Sequence, residues 1–195
     1  VSNPTETNYE IHDLLKNRWS PRAFSSQPVE PEKLRSLFEA ARWSPSAGNT
    51  QPWTYVVATK ENPAHQKLVQ TLMGFNTVWA ENAPVLVLTL AYLNPQRPGG
   101  SHYGYYDLGQ AVAHLSIQAA ELGLHVHQMA GFDAQKAREL FEIPADYVPT
   151  TVVALGYLGN AESLPEELRQ REAAPRSRKP LDEFVFSGQW GEPLT

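Results

Sequence analysis

The stretch "APVLVLTLAYL", residues 83–93, carries no charge over eleven positions. It is too short to cross a bilayer and reads as a buried strand. A second apolar run, "TTVVALGY" at 150–157, has the same character. Two buried strands need a layer to bury them. The rest of the chain is therefore read for what could supply one.

Helical patterning surrounds both runs. Thr7 and Glu10 have capping-box spacing and precede Ile11, Leu14 and Leu15, which predicts a first helix ending near Asn17. Pro31 suits the first turn of a second helix, on which Leu34, Leu37, Phe38 and Ala41 form one stripe. Pro45 stops that helix near Ser44. "TYVVAT" at 54–59 follows as a strand. Asn62 and Pro63 then cap and open a helix bearing Leu68, Leu72 and Met73. "PQRPGGSHYG" reads as a turn-rich loop. Leu108, Val112, Leu115, Ala119 and Leu122 mark a long helix closed by Gly123. "HVHQMA" is a short strand, and Asp133 caps a helix with Ala137, Leu140 and Phe141. From Asn160 to Lys179 the chain is polar and rich in arginine. The apolar "EFVF" at 183–186 then reads as an edge strand, on its own sheet or on that of a partner.

Composition removes several chemistries. A chain of 195 residues with 42% hydrophobic content can bury a substantial core as one domain. It has no cysteine, which excludes disulfides, thiolate nucleophiles and iron–sulfur clusters, so redox chemistry requires a bound cofactor. A net charge of −5 argues against nucleic acid or anionic membrane as general partners. "VSNPTETNYEIHD" has neither the basic start nor the apolar core of a signal peptide, and a cytoplasmic location is the expectation. No G-x-G-x-x-G, P-loop, G-x-S-x-G or H-E-x-x-H pattern occurs. His125 and His127 share a strand face, but two imidazoles without a nearby carboxylate suit packing better than a metal site, and no metal is expected.

Basic and amide-rich segments remain. "RWSPR" sets Arg18, Ser20 and Arg22 two apart, on one side if the segment is extended. Guanidinium groups fork onto phosphate oxygens, and a serine hydroxyl fits between them. Taken alone, these arginines read more simply as solvated helix ends. Arg176 and Arg178 repeat the spacing within a polar tail. "ARWSPSAGNTQPW" at 41–53 offers Ser46, Asn49 and Gln51, which suit either a planar polar ligand or the loop's own backbone.

In this order the segments resemble the flavin-dependent nitroreductase family. "NRWSPRAF" looks like its N-terminal R-x-S-x-R/K-x-F motif, and "AARWSPSAGNTQPW" like its A-P-S-x-x-N-x-Q-P-W motif. "LGLHVHQMAGFD", "YVPTTVVALGY" and "RSRKPLDEFV" match later segments. The resemblance implies an α+β fold, a mixed central sheet surrounded by helices. Residues 1–160 would form an FMN-binding core, and 161–195 a C-terminal extension wrapping the partner of a homodimer. Arg18, Ser20, Arg22, Arg176 and Arg178 would hold the phosphate, the ribityl chain and the pyrimidine side of FMN. Pro45, Ser46, Asn49 and Gln51 would reach it from the second subunit, and Met129, Ala130 and Gly131 would line it, the last two through amides facing N5 and O4. Asn76 is a candidate middle contact.

The resemblance departs in two places. Ala130 stands where some members carry glutamate, and the segment 94–106 is too short for a longer relative's helical excursion. An open pocket rimmed by Tyr103, Tyr105 or Tyr106 is therefore expected. The implied activity is a ping-pong oxidoreductase taking hydride from NAD(P)H and passing it to a small electron-poor acceptor, a nitroaromatic or quinone, with no catalytic side chain. Enone reduction, dehalogenation, flavin fragmentation and ring dehydrogenation are the same-fold alternatives. A dimeric flavin-binding or interaction protein without a dedicated substrate is the alternative of another class.

Overall fold

The computed structural model describes residues 7–93 and 100–194. Its centre is a four-stranded sheet of β1 (Trp53–Thr59), β2 (Val85–Tyr92), β3 (His125–Met129) and β4 (Tyr147–Gly156), in the order β1-β2-β4-β3. Every pairing within it is antiparallel, so among the described residues the sheet is not the mixed one expected. The two apolar runs thus lie side by side as the central strands. Their lack of alternation has a direct cause. Leu86, Leu88 and Leu90 of β2 point into one core layer, whereas Val85, Val87 and Ala91 point into the other.

The helices around the sheet are α1 (Asp13–Asn17), α2 (Pro31–Arg42), α3 (Pro63–Val69), α4 (Asn76–Trp79), α5 (Gly100–Glu121), α6 (Ala134–Leu140) and α7 (Glu166–Ala173). Leu37 and Ala41 of α2 and the seam Leu108, Ala111, Val112, Leu115 and Ala119 of α5 bury one face of the sheet. Leu68, Trp79, Phe132, Ala137 and Leu168 bury the other. The architecture is α+β. Among the described residues no helix is long and apolar enough to cross a membrane.

Several boundaries follow the sequence chemistry. Asn62 accepts from the Ala64 amide at 2.9 Å, and Asp133 from the Lys136 amide at 2.9 Å. Gly123 takes the left-handed φ of 73° that ends α5. Four expectations are corrected. The Thr7–Glu10 box does not open α1; His12 caps it instead, its Nδ1 accepting from the Leu14 amide at 3.2 Å. Tyr9 and Ile11 are exposed and give an earlier turn no face to pack. The helix carrying Leu68 stops at Val69, so Leu72 and Met73 lie beyond it, where Leu72 bridges Phe132. The expected loop through Tyr103, Tyr105 and Tyr106 is already α5, and those tyrosines stand exposed near its start. Residues 94–99, the rest of that loop, lie outside the described residues.

The fourth correction concerns "EFVF". Among the described residues it adds no strand to its own sheet: residues 181–183 form a 3-10 turn, and Phe186 bridges Pro193. Gly188 and Gly191, with φ of 77° and 89°, turn the tail back, and the Ser187 amide donates to Glu192 at 2.8 Å. The first part of the tail is integral to the core, since Leu164 and Leu168 pack into it.

One junction positions the site. Beyond β4, the Gly159 amide donates to Ala23 and the Ser25 amide to Tyr157, both at 2.9 Å, while Phe24 bridges Leu158. A Cβ on Gly159 would lie 2.5 Å from the Phe24 carbonyl carbon, closer than real contacts allow. Gly159→Ala is expected to destabilise the fold by about 1–3 kcal/mol through this overpacking. Urea unfolding of the variant beside the wild type measures it.

Candidate functional site

The segment after α1 is extended, and its burial alternates. Trp19, Pro21 and Ala23 are buried, whereas Arg18, Ser20 and Arg22 are only partly so. The inward residues are held individually. Trp19 meets the His125 ring edge-on at 6.1 Å, and Pro21 O accepts from His127 Nδ1 at 2.9 Å. The outward three therefore form the row that spacing two predicts.

Their cleft encloses about 200 Å³ and is completed by the tail. Arg176 and Arg178 lie in its wall with Arg18, Ser20 and Arg22, together with Trp19, Arg171, Glu172 and Ala174. All five basic-row residues expected from the sequence thus share one cleft. Their electrostatics differ. Burial first, and Arg178 second, push the Arg18 guanidinium below its ordinary value. Burial, then Arg18 and Arg178, do the same to Arg176. Arg176 donates to Arg18 O at 2.7 Å and to Lys16 O, which satisfies the carbonyl end of α1. Its buried Nε has no hydrogen-bond partner among the described residues. Arg178 is exposed and donates to Ser177 O at 2.7 Å, leaving other N–H groups for a ligand.

A second surface lies at the end of β3. Ala130 and Gly131 are exposed, and among the described residues no acceptor takes either amide. Gly131 O is occupied, accepting from the Met73 amide and from Asn76 Nδ2, each at 3.0 Å. A Cβ at Gly131 would come within 2.8 Å of Asn76 Nδ2. Asn76 thus braces this turn. Met129 is a correction: the residue is 2% exposed and packs in the core, so its side chain does not line this surface. Arg171 connects the surfaces, its guanidinium 4.6 Å over the Phe75 ring and bonded to Glu167 at 2.7 Å.

The segment 44–51 stands apart and does not line the arginine cleft of its own chain. Ser44 Oγ is hydrogen-bonded to His114 Nδ1 at 2.7 Å, and the Ala47 amide donates to Asp107 at 3.1 Å. Between these anchors and β1 the backbone is left-handed at Gly48, Asn49 and Gln51, with φ of 57°, 54° and 50°. Ser46 Oγ accepts from the Gln51 amide at 3.0 Å, and the Gln51 side chain donates to Asn49 O and Oδ1. Pro45, Asn49 and Gln51 are exposed. Part of the polarity of this loop therefore serves its own backbone.

Sequence reasoning missed Glu172 and Trp19 as parts of the cleft. Trp19 could have been found as the inward partner of an alternating row. Glu172 could not, because its contacts lie 149 and 150 residues away. The expected packing role of the histidines is observed for both rings, with His127 also tilted 4.6 Å from Trp79.

Burial pushes the His127 pKa down from 6.5 to about 4, against the opposing bond to Pro21. A depressed histidine stabilises the fold fully above the unfolded value and loses that contribution as pH falls through the folded one. Stability should therefore decline as pH drops from about 6.5 to about 4. His127→Gln should remove up to about 1.4 kcal/mol per pH unit of this slope. Urea midpoints across that range test it.

The sequence matches the model of the nitroreductase family over residues 15–78 and 59–157. A crystal structure described as an oxidoreductase containing FMN superposes with a TM-score of 0.91 at 35% identity, covering 98% of each chain. An NADH dehydrogenase of Thermus thermophilus is 28% identical over 204 residues, 88% of this chain and 92% of that one. A 15.4 kDa protein of Mycolicibacterium smegmatis is 40% identical over 94 residues, which span 48% of this chain and 63% of that protein. With its α+β core and its converging arginine segments, the chain belongs to the nitroreductase family.

Proposed function

We propose that this chain is an FMN-dependent NAD(P)H oxidoreductase that works as a homodimer on small electron-poor acceptors such as nitroaromatics and quinones. The observation that carries the reading is the arginine cleft. Five guanidinium groups and one carboxylate line it, an excess of positive charge suited to a phosphate bearing close to two negative charges. The depressed values of Arg18 and Arg176 point the same way, since an anion would relieve both. The amides of Ala130 and Gly131, which meet no acceptor among the described residues, offer donors to the polar edge of a planar ring. Family membership and the FMN-containing structural relative support the cofactor, and the Thermus relative's name supports the nicotinamide donor.

Arg18, Arg22 and Arg178 would hold the phosphate and Ser20 the polyol. Arg176, whose guanidinium is largely committed to α1, would set the cationic field and fix the tail. When bound, the flavin supplies hydride acceptance from NAD(P)H and its return to the acceptor in a ping-pong cycle. The protein's share is orientation and electrostatics, and no side chain is required as acid or base.

The second subunit enters for two reasons. The loop with Pro45, Ser46, Asn49 and Gln51 stays away from its own chain's arginine cleft, and Phe184, Trp190 and Leu194 leave an apolar tail exposed. A partner copy would cover the exposed apolar end of the tail, from Phe184 to Leu194, and supply a ligand for the loop.

Purified protein should carry, or take up, one FMN per chain with its visible absorption, and anaerobic NADH or NADPH should bleach it. A protein that takes up no FMN, or FMN that stays oxidised, would overturn the proposal. Arg18→Ala with Arg178→Ala should weaken binding at least about a hundredfold, the loss of two charge-assisted contacts. Subunit mixing tests the shared site. Arg18→Ala and Asn49→Ala homodimers should both be impaired, while their mixed dimer should regain one intact site in two. Absence of that gain would place Asn49 and Arg18 on the same subunit's flavin.

A further inference from the structure

Glu172 belongs to a helix of alternating charges, "EELRQREA", whose other carboxylates form surface ion pairs. It alone among them is buried, at 6% exposure. Its Oε1 accepts from the Arg22 amide at 2.8 Å and from the Ala23 amide at 3.2 Å. Its Oε2 meets the Arg22 guanidinium at 3.4 Å. The carboxylate lines the arginine cleft on one side and a larger cleft of about 540 Å³, with Leu158, Asn160 and Arg169, on the other.

By charge alone this is a poor place for a carboxylate, because it opposes the anion that the arginines would attract. Its geometry gives a different account. Residues 22 and 23 are where the outward row ends and the chain begins its pairing with residues 157–159. Two backbone donors and one guanidinium converge on Glu172 there, so a single side chain fixes both the peptide direction and the aim of Arg22. It also ties α7, and with it Arg176 and Arg178, to the N-terminal row.

We propose that Glu172 is a positioning residue for the anion site, acting through Arg22 and the 22–23 backbone rather than by touching the ligand. This rests on the flavin reading above. The reach of the carboxylate matters more than its charge. A glutamine can keep an oxygen on both amides, whereas an aspartate keeps the charge but withdraws it by one methylene.

Fluorescence titration of the apoprotein with FMN and with riboflavin, which lacks the phosphate, separates these effects. Wild type should bind FMN much more tightly than riboflavin. Glu172→Asp should weaken FMN about tenfold, the scale of one misaligned charge-assisted contact, and leave riboflavin within about twofold. Glu172→Gln should retain more FMN affinity than the aspartate variant. The reverse ranking, tighter FMN binding by Glu172→Gln, no change in either variant, or equal losses for both flavins would each overturn the positioning role. A wild type that does not prefer FMN would instead overturn the phosphate reading of the cleft, and this inference with it.

Discussion

The short antiparallel pairing of residues 23–25 with 157–159 is the constraint on which the candidate site depends. It extends the sheet layer by two backbone bonds and forces the preceding residues into extended geometry. Extended geometry has period two, so burying Trp19, Pro21 and Ala23 turns Arg18, Ser20 and Arg22 outward. A helical continuation of α1 would have kept Arg18 and Arg22 on one face and turned Ser20 to the opposite one. The row of cations is thus a consequence of where the apolar residues must go.

Holding several guanidinium groups in one cleft has an electrostatic cost, and the protein offsets it by different means at each. Arg176 finds the carbonyls at the end of α1, which lack helical partners and carry partial negative charge. Arg22 faces a buried carboxylate, and Arg171 combines an ion pair with the face of Phe75. Arg18 has the weakest local compensation, a 3.5 Å contact to the Ser20 hydroxyl. That ordering singles out Arg18 as the cation with most to gain from an anion.

What was legible in the sequence tracks the range of the interaction responsible. Apolar periodicity and cap residues act within a few positions, and they located β2, β4, α2 and the starts of α3 and α6. The N-terminal start of α5 was misread because "PGGSHYG" has turn composition. There Gly104 serves close packing: a Cβ on it would come within 2.6 Å of Tyr92 O. The convergence of residues 18–22 with 176–178 came from family resemblance, since no local pattern brings segments so far apart together. Glu172 lay beyond both kinds of reading. Its role is a contact between distant backbone amides and a side chain that looks like any other acid on a charged helix.

The loop at 44–51 shows how far one chain can explain itself. Left-handed φ is readily adopted by glycine and tolerated by asparagine, but it is unfavourable for Gln51. Such a conformation persists only where its surroundings hold it, here the bonds to His114 and Asp107 on α5 and the Ser46 hydroxyl on the Gln51 amide. Those bonds account for the loop's shape and for part of its polarity. They do not use Asn49 as a donor to any distant group, and they leave it exposed at the tip of a braced turn. Such bracing would leave Asn49 little ordering to lose on meeting the ligand that the proposed homodimer seats on the other chain.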